Sequence, residues 1–192
     1  MEAAQILAFL HRLEALKCNT RHSWTSSGRQ ESVAEHTCRL AIMALLLRNA
    51  FPQADMDRVL RMCLLHDWGE AVTGDIPAFE KSDRDEETEE NAVLSLLAGL
   101  SPGLQEEYTN LFREIRAQET AEARIFRALD QLEAVIQHNE ADLSTWLPLE
   151  RELNLTYGQA ECAGFPPTAQ LRALCIHETE QKLANGSTQI RV

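Results

Sequence analysis

His66 and Asp67 stand side by side at the end of an apolar run that includes Leu60, Cys63, Leu64 and Leu65, and Trp68 follows them directly. Helical spacing places that run in a core, so the fold must deliver an imidazole and a carboxylate to the edge of a hydrophobic interior. A carboxylate left ionised there needs a partner, because desolvation otherwise drives it to protonate. A divalent cation is one such partner. Two further residues occupy comparable places: His36, between Val33 and Leu40, and Asp130, among Phe126, Leu129 and Leu132. Two imidazoles and two carboxylates form a mixed nitrogen–oxygen set that suits Mn, Co, Fe, Ni, Zn or Mg, the last being least suited to imidazole. Taken singly, each residue has an ordinary reading, a core histidine or a solvated or capping aspartate. The order His…His-Asp…Asp, each member in an apolar helical setting, points to a metal site.

The surrounding periodicity is helical. Ile6, Leu7, Leu10, Leu13 and Leu16 share one face, which predicts a first helix over 3–17 packed onto the core. Residues 18–31 lack periodicity and read as a loop. Ser32-Val33-Ala34-Glu35 matches a capping box and opens a helix running to about residue 49, closed by Phe51-Pro52. Asp55 or its neighbours open the helix that ends at His66, and Gly69, Gly74 and Pro77 make 68–79 turn-rich. Helices are expected over about 81–100, 103–117 and 120–140. Trp146-Leu147-Pro148 turns the chain, 150–167 reads as irregular, Thr168 caps a last helix to about 183, and the tail from Asn185 reads as frayed. Aromatics are only 6% and Gly and Pro are sparse, which favours an all-α bundle of about six to eight helices over a β-sandwich. No repeat or composition shift divides the 192 residues, so one domain over 1–192 is expected.

Eighteen basic against 30 acidic side chains give a net charge of −12. Such a surface offers few cations for counterion release, so long nucleic acid is excluded as a partner, while a small anion in a locally positive pocket is not. Five scattered cysteines, Cys18, Cys38, Cys63, Cys162 and Cys175, contain no C-x-x-C pair and read as buried free thiols in a reducing cytoplasm. The first residues do not read as an export signal, and no apolar run approaches the ~20 residues that cross a bilayer.

Longer motifs carry a resemblance. Arg21-His22-Ser23-Trp24 is followed by Glu31-Ser32-Val33-Ala34-Glu35-His36, then by Leu65-His66-Asp67-Trp68-Gly69-Glu70, Thr73-Gly74-Asp75-Ile76-Pro77 and Asp130-Gln131-Leu132-Glu133. Over roughly residues 5–145 the chain resembles the HD-domain superfamily of metal-dependent phosphohydrolases, and within it the compact branch of 5′-deoxynucleotidases. The fold implied is a compact HD-domain helical bundle, with 146–192 as a helical extension that carries no recognised motif.

The resemblance implies one divalent ion held by His36, His66, Asp67 and Asp130. It implies Glu70 and Asp75 as the acidic pair around the attacked phosphate, Arg21 facing that phosphate, and Trp24 against the sugar. Some members of the branch have Arg and Trp adjacent, whereas here His22 and Ser23 intervene. Between Asp67 and Asp130 there is no histidine, which implies a mononuclear site, since binuclear members use extra histidines there. His11, His22, His138 and His177 are left as non-ligands, and Glu133 is expected to hold a neighbouring group in orientation. The activity implied is phosphate release from nucleoside 5′-monophosphates, deoxyribo forms preferred, by a homodimer. The alternatives are hydrolysis of another small phosphate ester or nucleotide, and a non-catalytic metal- and nucleotide-binding scaffold.

Overall fold

The computed structural model describes residues 2–189. From the N-terminus, α1 (Ala3–Leu13) and α2 (Ala15–Cys18) lead into an antiparallel hairpin of β1 (Thr20–Trp24) and β2 (Gln30–Ser32). The chain continues through α3 (Val33–Leu46), α4 (Met56–Leu65), α5 (Glu70–Thr73), α6 (Asp83–Leu97), α7 (Pro102–Ala117) and α8 (Ala121–Glu140). It closes with α9 (Glu150–Thr156), α10 (Gln159–Ala163) and α11 (Pro166–Gln189). Seven of these helices have ten or more residues, in keeping with the expected all-α bundle.

The axis of the packing is α8, which touches α3, α4, α7, α10, α11 and β1. Its buried side chains Ile125, Phe126, Leu129, Leu132 and Val135 recur at three- and four-residue spacing and meet Leu40, Val59 and Met62 from α3 and α4. Full burial of one such Leu or Met contributes roughly 1.5–3 kcal/mol. No helix among the described residues is long and apolar enough to cross a membrane.

Several sequence expectations are corrected. Residues 18–31 contain the hairpin, with Thr20 opposite Ser32 and Trp24 opposite Gln30. It escaped periodicity because its buried positions are the polar Ser23, Glu31 and Ser32. The 150–167 stretch holds α9 and α10, anchored by the buried Asn154 and Cys162. The last helix begins at Pro166, whose missing N–H costs nothing in a first turn. Thr168 lies inside it, its hydroxyl 2.8 Å from the Cys162 carbonyl it donates to. The helix continues past Asn185 to Gln189, and residues 190–192 lie outside the described residues. The first helix breaks at Glu14, which splits the apolar stripe: Phe9 and Leu16 are buried, whereas Ile6, Leu7 and Leu10 stay exposed. Cys18 and Cys38 are exposed free thiols, and the other three are buried.

Candidate metal centre

Three helical elements converge on one spot. His36 sits in the first turn of α3, whose start is fixed by the predicted capping box: Glu35 N–H donates to Ser32 Oγ at 3.3 Å, and Ser32 N–H donates to Glu35 Oε2 at 2.9 Å. His66 caps the C-terminus of α4, its N–H still bonded to the Met62 carbonyl. Asp67 begins the helical turn into α5, where Glu70 N–H donates to the Asp67 carbonyl at 3.0 Å. Gly69 in that turn is obligatory, since a Cβ there would lie 2.8–2.9 Å from Glu89 and Val93 of α6. Gly74 then adopts φ +76°, a left-handed conformation that turns the chain so Asp75 comes back against Arg21 of β1. Asp130 arrives from the middle of α8.

The two imidazoles are oriented from behind. His66 Nδ1–H donates to the Cys63 carbonyl at 2.9 Å, leaving Nε2 as the lone-pair nitrogen. That nitrogen is buried without a hydrogen-bond partner, 2.9 Å from Asp67 Oδ2 and 3.6 Å from Asp130 Oδ1. His36 Nδ1 contacts Glu133 Oε2, and its Nε2 lies 3.1 Å from Asp130 Oδ1 and 3.8 Å from Asp67 Oδ2. Glu133 is fully buried and is itself held by Arg39 Nε at 2.6 Å. A lone pair pressed against two carboxylates is repulsive unless a cation stands between them, and a carboxylate or carbonyl behind each imidazole is the usual support for a metal-binding histidine. The donor set therefore fits a divalent ion.

The electrostatics agree. Burial and Arg21 both lower the His36 pKa, yet Glu133 and Asp130 more than offset them and raise it to about 9. Burial raises the carboxyls of Asp67 and Asp130, but the two histidines hold both below the ordinary range. Glu70 moves the other way: burial first, then Asp67, Asp75 and Glu89, push it far up, and its Oε2 has no partner. Burial also raises Asp75, against the pull of Arg21. The cluster asks for positive charge at its centre.

His36, His66, Asp67, Glu70, Asp75, Asp130 and Arg21 all line one open cavity of about 420 Å³. Arg21 Nη1 lies 3.3 Å from Glu31 and 3.5 Å from Glu133, and its Nε is 3.9 Å from Asp75 Oδ1. Trp24 is not brought to this cavity; its ring stands edge-on to His22 at 5.0 Å. His11, His22, His138 and His177 do not line this cavity. The structure adds Lys81, Glu89, Arg127 and Tyr157, which carry no motif, and sets Glu31 of the second motif against Arg21. Of these Lys81 pairs with Glu89, and Arg127 Nη1 lies 3.5 Å from Asp130 Oδ2.

Comparison with known proteins decides the family. The sequence profile of the HD domain matches residues 13–164. The chain belongs to the HD-domain family. This HD-domain protein is 35% identical over 142 residues to the 5′-deoxynucleotidase HDDC2 of Bos taurus, covering 72% of this chain and 68% of that one. Against the 5′-deoxynucleotidase HDDC2 of Xenopus laevis it is 34% identical over 188 residues, 95% of this chain and 91% of the other. Among solved structures, a predicted metal-dependent phosphohydrolase from Magnetospirillum magnetotacticum superposes with a TM-score of 0.74 at 31% identity, covering 95% and 96% of the two chains.

Proposed function

We propose that this HD-domain protein releases phosphate from nucleoside 5′-monophosphates, deoxyribo forms preferred, with one divalent ion held by His36, His66, Asp67 and Asp130. The observation that carries the reading is the unpartnered His66 Nε2, aimed with His36 Nε2 at two carboxylates. Relatives named 5′-deoxynucleotidase over most of the chain support the substrate class. The mixed donor set accepts Mn, Co, Fe, Ni, Zn or Mg.

Bound there, a divalent ion would withdraw charge from a phosphoryl oxygen and acidify an attacking water. Glu70, three residues beyond Asp67 on the same helical turn, is placed to orient that water and, once the ion's charge offsets the neighbouring carboxylates, would take its proton. Arg21 offers a planar fork to the phosphate, pre-set by Glu31, Glu133 and Asp75. Asp75 stands across from it as the second acid of the pair. Trp24 serves the sugar side through His22, against which its ring is packed.

We read residues 1–192 as one HD domain with 146–192 as its extension; of the described residues there, α10 and α11 pack on α8. The exposed thiols Cys18 and Cys38 suit a reducing cytoplasm. A homodimer would cover apolar side chains left open on α1 and α3, Ile6, Leu7, Leu10, Ile42, Leu45 and Leu46.

The experiment is phosphate release from 5′-, 3′-, ribo- and deoxyribonucleotides by chelator-stripped protein with single metals restored. Metal-restored release from deoxynucleoside 5′-monophosphates is the expected result. Silence across the panel with metal bound would remove the hydrolase reading.

A further inference from the structure

A second, smaller cavity of about 100 Å³ adjoins the metal centre and shares Arg21, Asp75, Ala78 and Tyr157 with it. Its far side is built by α8 and by the motif-free C-terminal part of the chain. On α8, Asp130, Ala134 and His138 follow one another at four-residue spacing, so one helical face runs from the metal centre to the far end of this cavity. Eight residues of helix span roughly 12 Å, a length that suits a sugar with its base. Phe79, Tyr157 and Val135 give it ring-sized apolar walls.

Its polar groups are organised and incomplete. Glu150 is only 2% exposed. Its Oε1 lies 3.0 Å from His138 Nε2 and 3.2 Å from His22 Nε2, while Oε2 accepts the Leu147 N–H at 2.6 Å. Trp146 packs edge-on against His138, and Phe79 against His22. Among the described residues, five buried side-chain atoms lack a hydrogen-bond partner. His66 Nε2 and Glu70 Oε2 line the metal centre; in this second cavity Ser23 Oγ, in a residue 5% exposed, has no partner, and His22 Nε2 has the ion-pair contact with Glu150 but no hydrogen bond. Folded proteins leave few such atoms, and the buried Ser23 hydroxyl calls for a ligand with hydroxyl or amide groups.

We propose that this cavity receives the sugar and base of the nucleotide, with Ser23 hydrogen-bonding it, His22, Phe79 and Tyr157 flanking it, and Glu150 holding His22 in place. The proposal rests on the reading of the metal centre as the phosphate site. It gives the segment around 146–157, silent in sequence, the task of choosing the substrate.

The test is equilibrium dialysis of thymidine and 2′-deoxyadenosine against metal-loaded wild type, Ala134→Leu and Phe79→Ala. Inhibition by inorganic phosphate and KM for the matching monophosphates are measured alongside. Ala134→Leu fills the cavity from α8; Phe79→Ala, on an exposed loop outside the core, keeps the test sound if the first variant folds poorly. Expected is a loss of deoxynucleoside binding of about tenfold or more, a parallel rise in KM, and phosphate inhibition unchanged within about twofold. Deoxynucleosides that do not bind the wild type, or bind all three proteins alike, overturn the cavity assignment whether or not nucleotides are hydrolysed. Cavity-dependent binding without phosphate release from any nucleotide upholds the cavity and sinks the hydrolase reading.

Discussion

Glu70 is 5% exposed, with one carboxylate oxygen unpartnered beside Asp67, which fits the proton-handling role proposed for it. Glu70→Gln preserves shape and hydrogen-bonding reach but cannot accept a proton as a carboxylate does. Turnover is expected to fall by ~10²–10⁴-fold while metal content, read by elemental analysis, stays at the wild-type level. Arg21→Lys replaces a fork with a point charge, so KM for nucleotide is expected to rise about tenfold in steady-state kinetics. A variant with unchanged KM would take Arg21 off the phosphate. The four proposed ligands were legible because a charged or imidazole group amid leucines is anomalous in any sequence. His22 and Glu150 were not legible. They are 128 positions apart in the chain, and neither has an apolar setting to mark it until the fold places them 3.2 Å apart. Trp24 stands outside the cavity that holds Arg21, with its ring against His22, a placement that no spacing in the sequence gives.

At the level of elements, α3 owes its start, and so the placement of His36, to the Ser32–Glu35 box. Ser32→Ala is expected to cost about 1 kcal/mol in urea unfolding. Arg29 first and Ser32 second hold the Glu35 carboxyl down to about 2, below its ordinary 4.5. A lowered folded-state pKa contributes stability that is complete above about 4.5 and drains away as pH falls toward about 2. The stability gap between wild type and Glu35→Gln is therefore expected to be wider at pH 6 than at pH 3.5, by a small amount because the pair is exposed. The Gly69 contact between α5 and α6 is less forgiving: Gly69→Ala should destabilise by roughly 1–3 kcal/mol and lower turnover by displacing Glu70. Long helices with apolar faces were readable from spacing alone. The β1–β2 hairpin was not, because strands that serve a polar site bury Ser23 and Glu31 where alternation would look for valine or isoleucine.

For the whole molecule, the proposed metal centre joins α3, α4 and α8, so an ion held there would tie three helices together. Removing the ion should therefore loosen the bundle as well as silence it. Chelator-stripped protein is expected to melt at lower temperature, with recovery on metal return of about 2.7 kcal/mol at a hundredfold excess over Kd. An unchanged melting curve would argue that the cluster binds no ion tightly. The C-terminal part was opaque in sequence because α9 and α10 are short and are held by the buried Asn154, Cys162 and Arg172, not by a stripe of leucines. Its placement has a further consequence. Every residue proposed to touch the ion or the phosphate lies at or before position 130, whereas Glu150, Leu153, Asn154 and Tyr157 of the neighbouring cavity come later in the chain. If that cavity holds the nucleoside, substitutions in α9 can alter which nucleotide is preferred while every residue proposed to hold the ion or the phosphate is inherited intact.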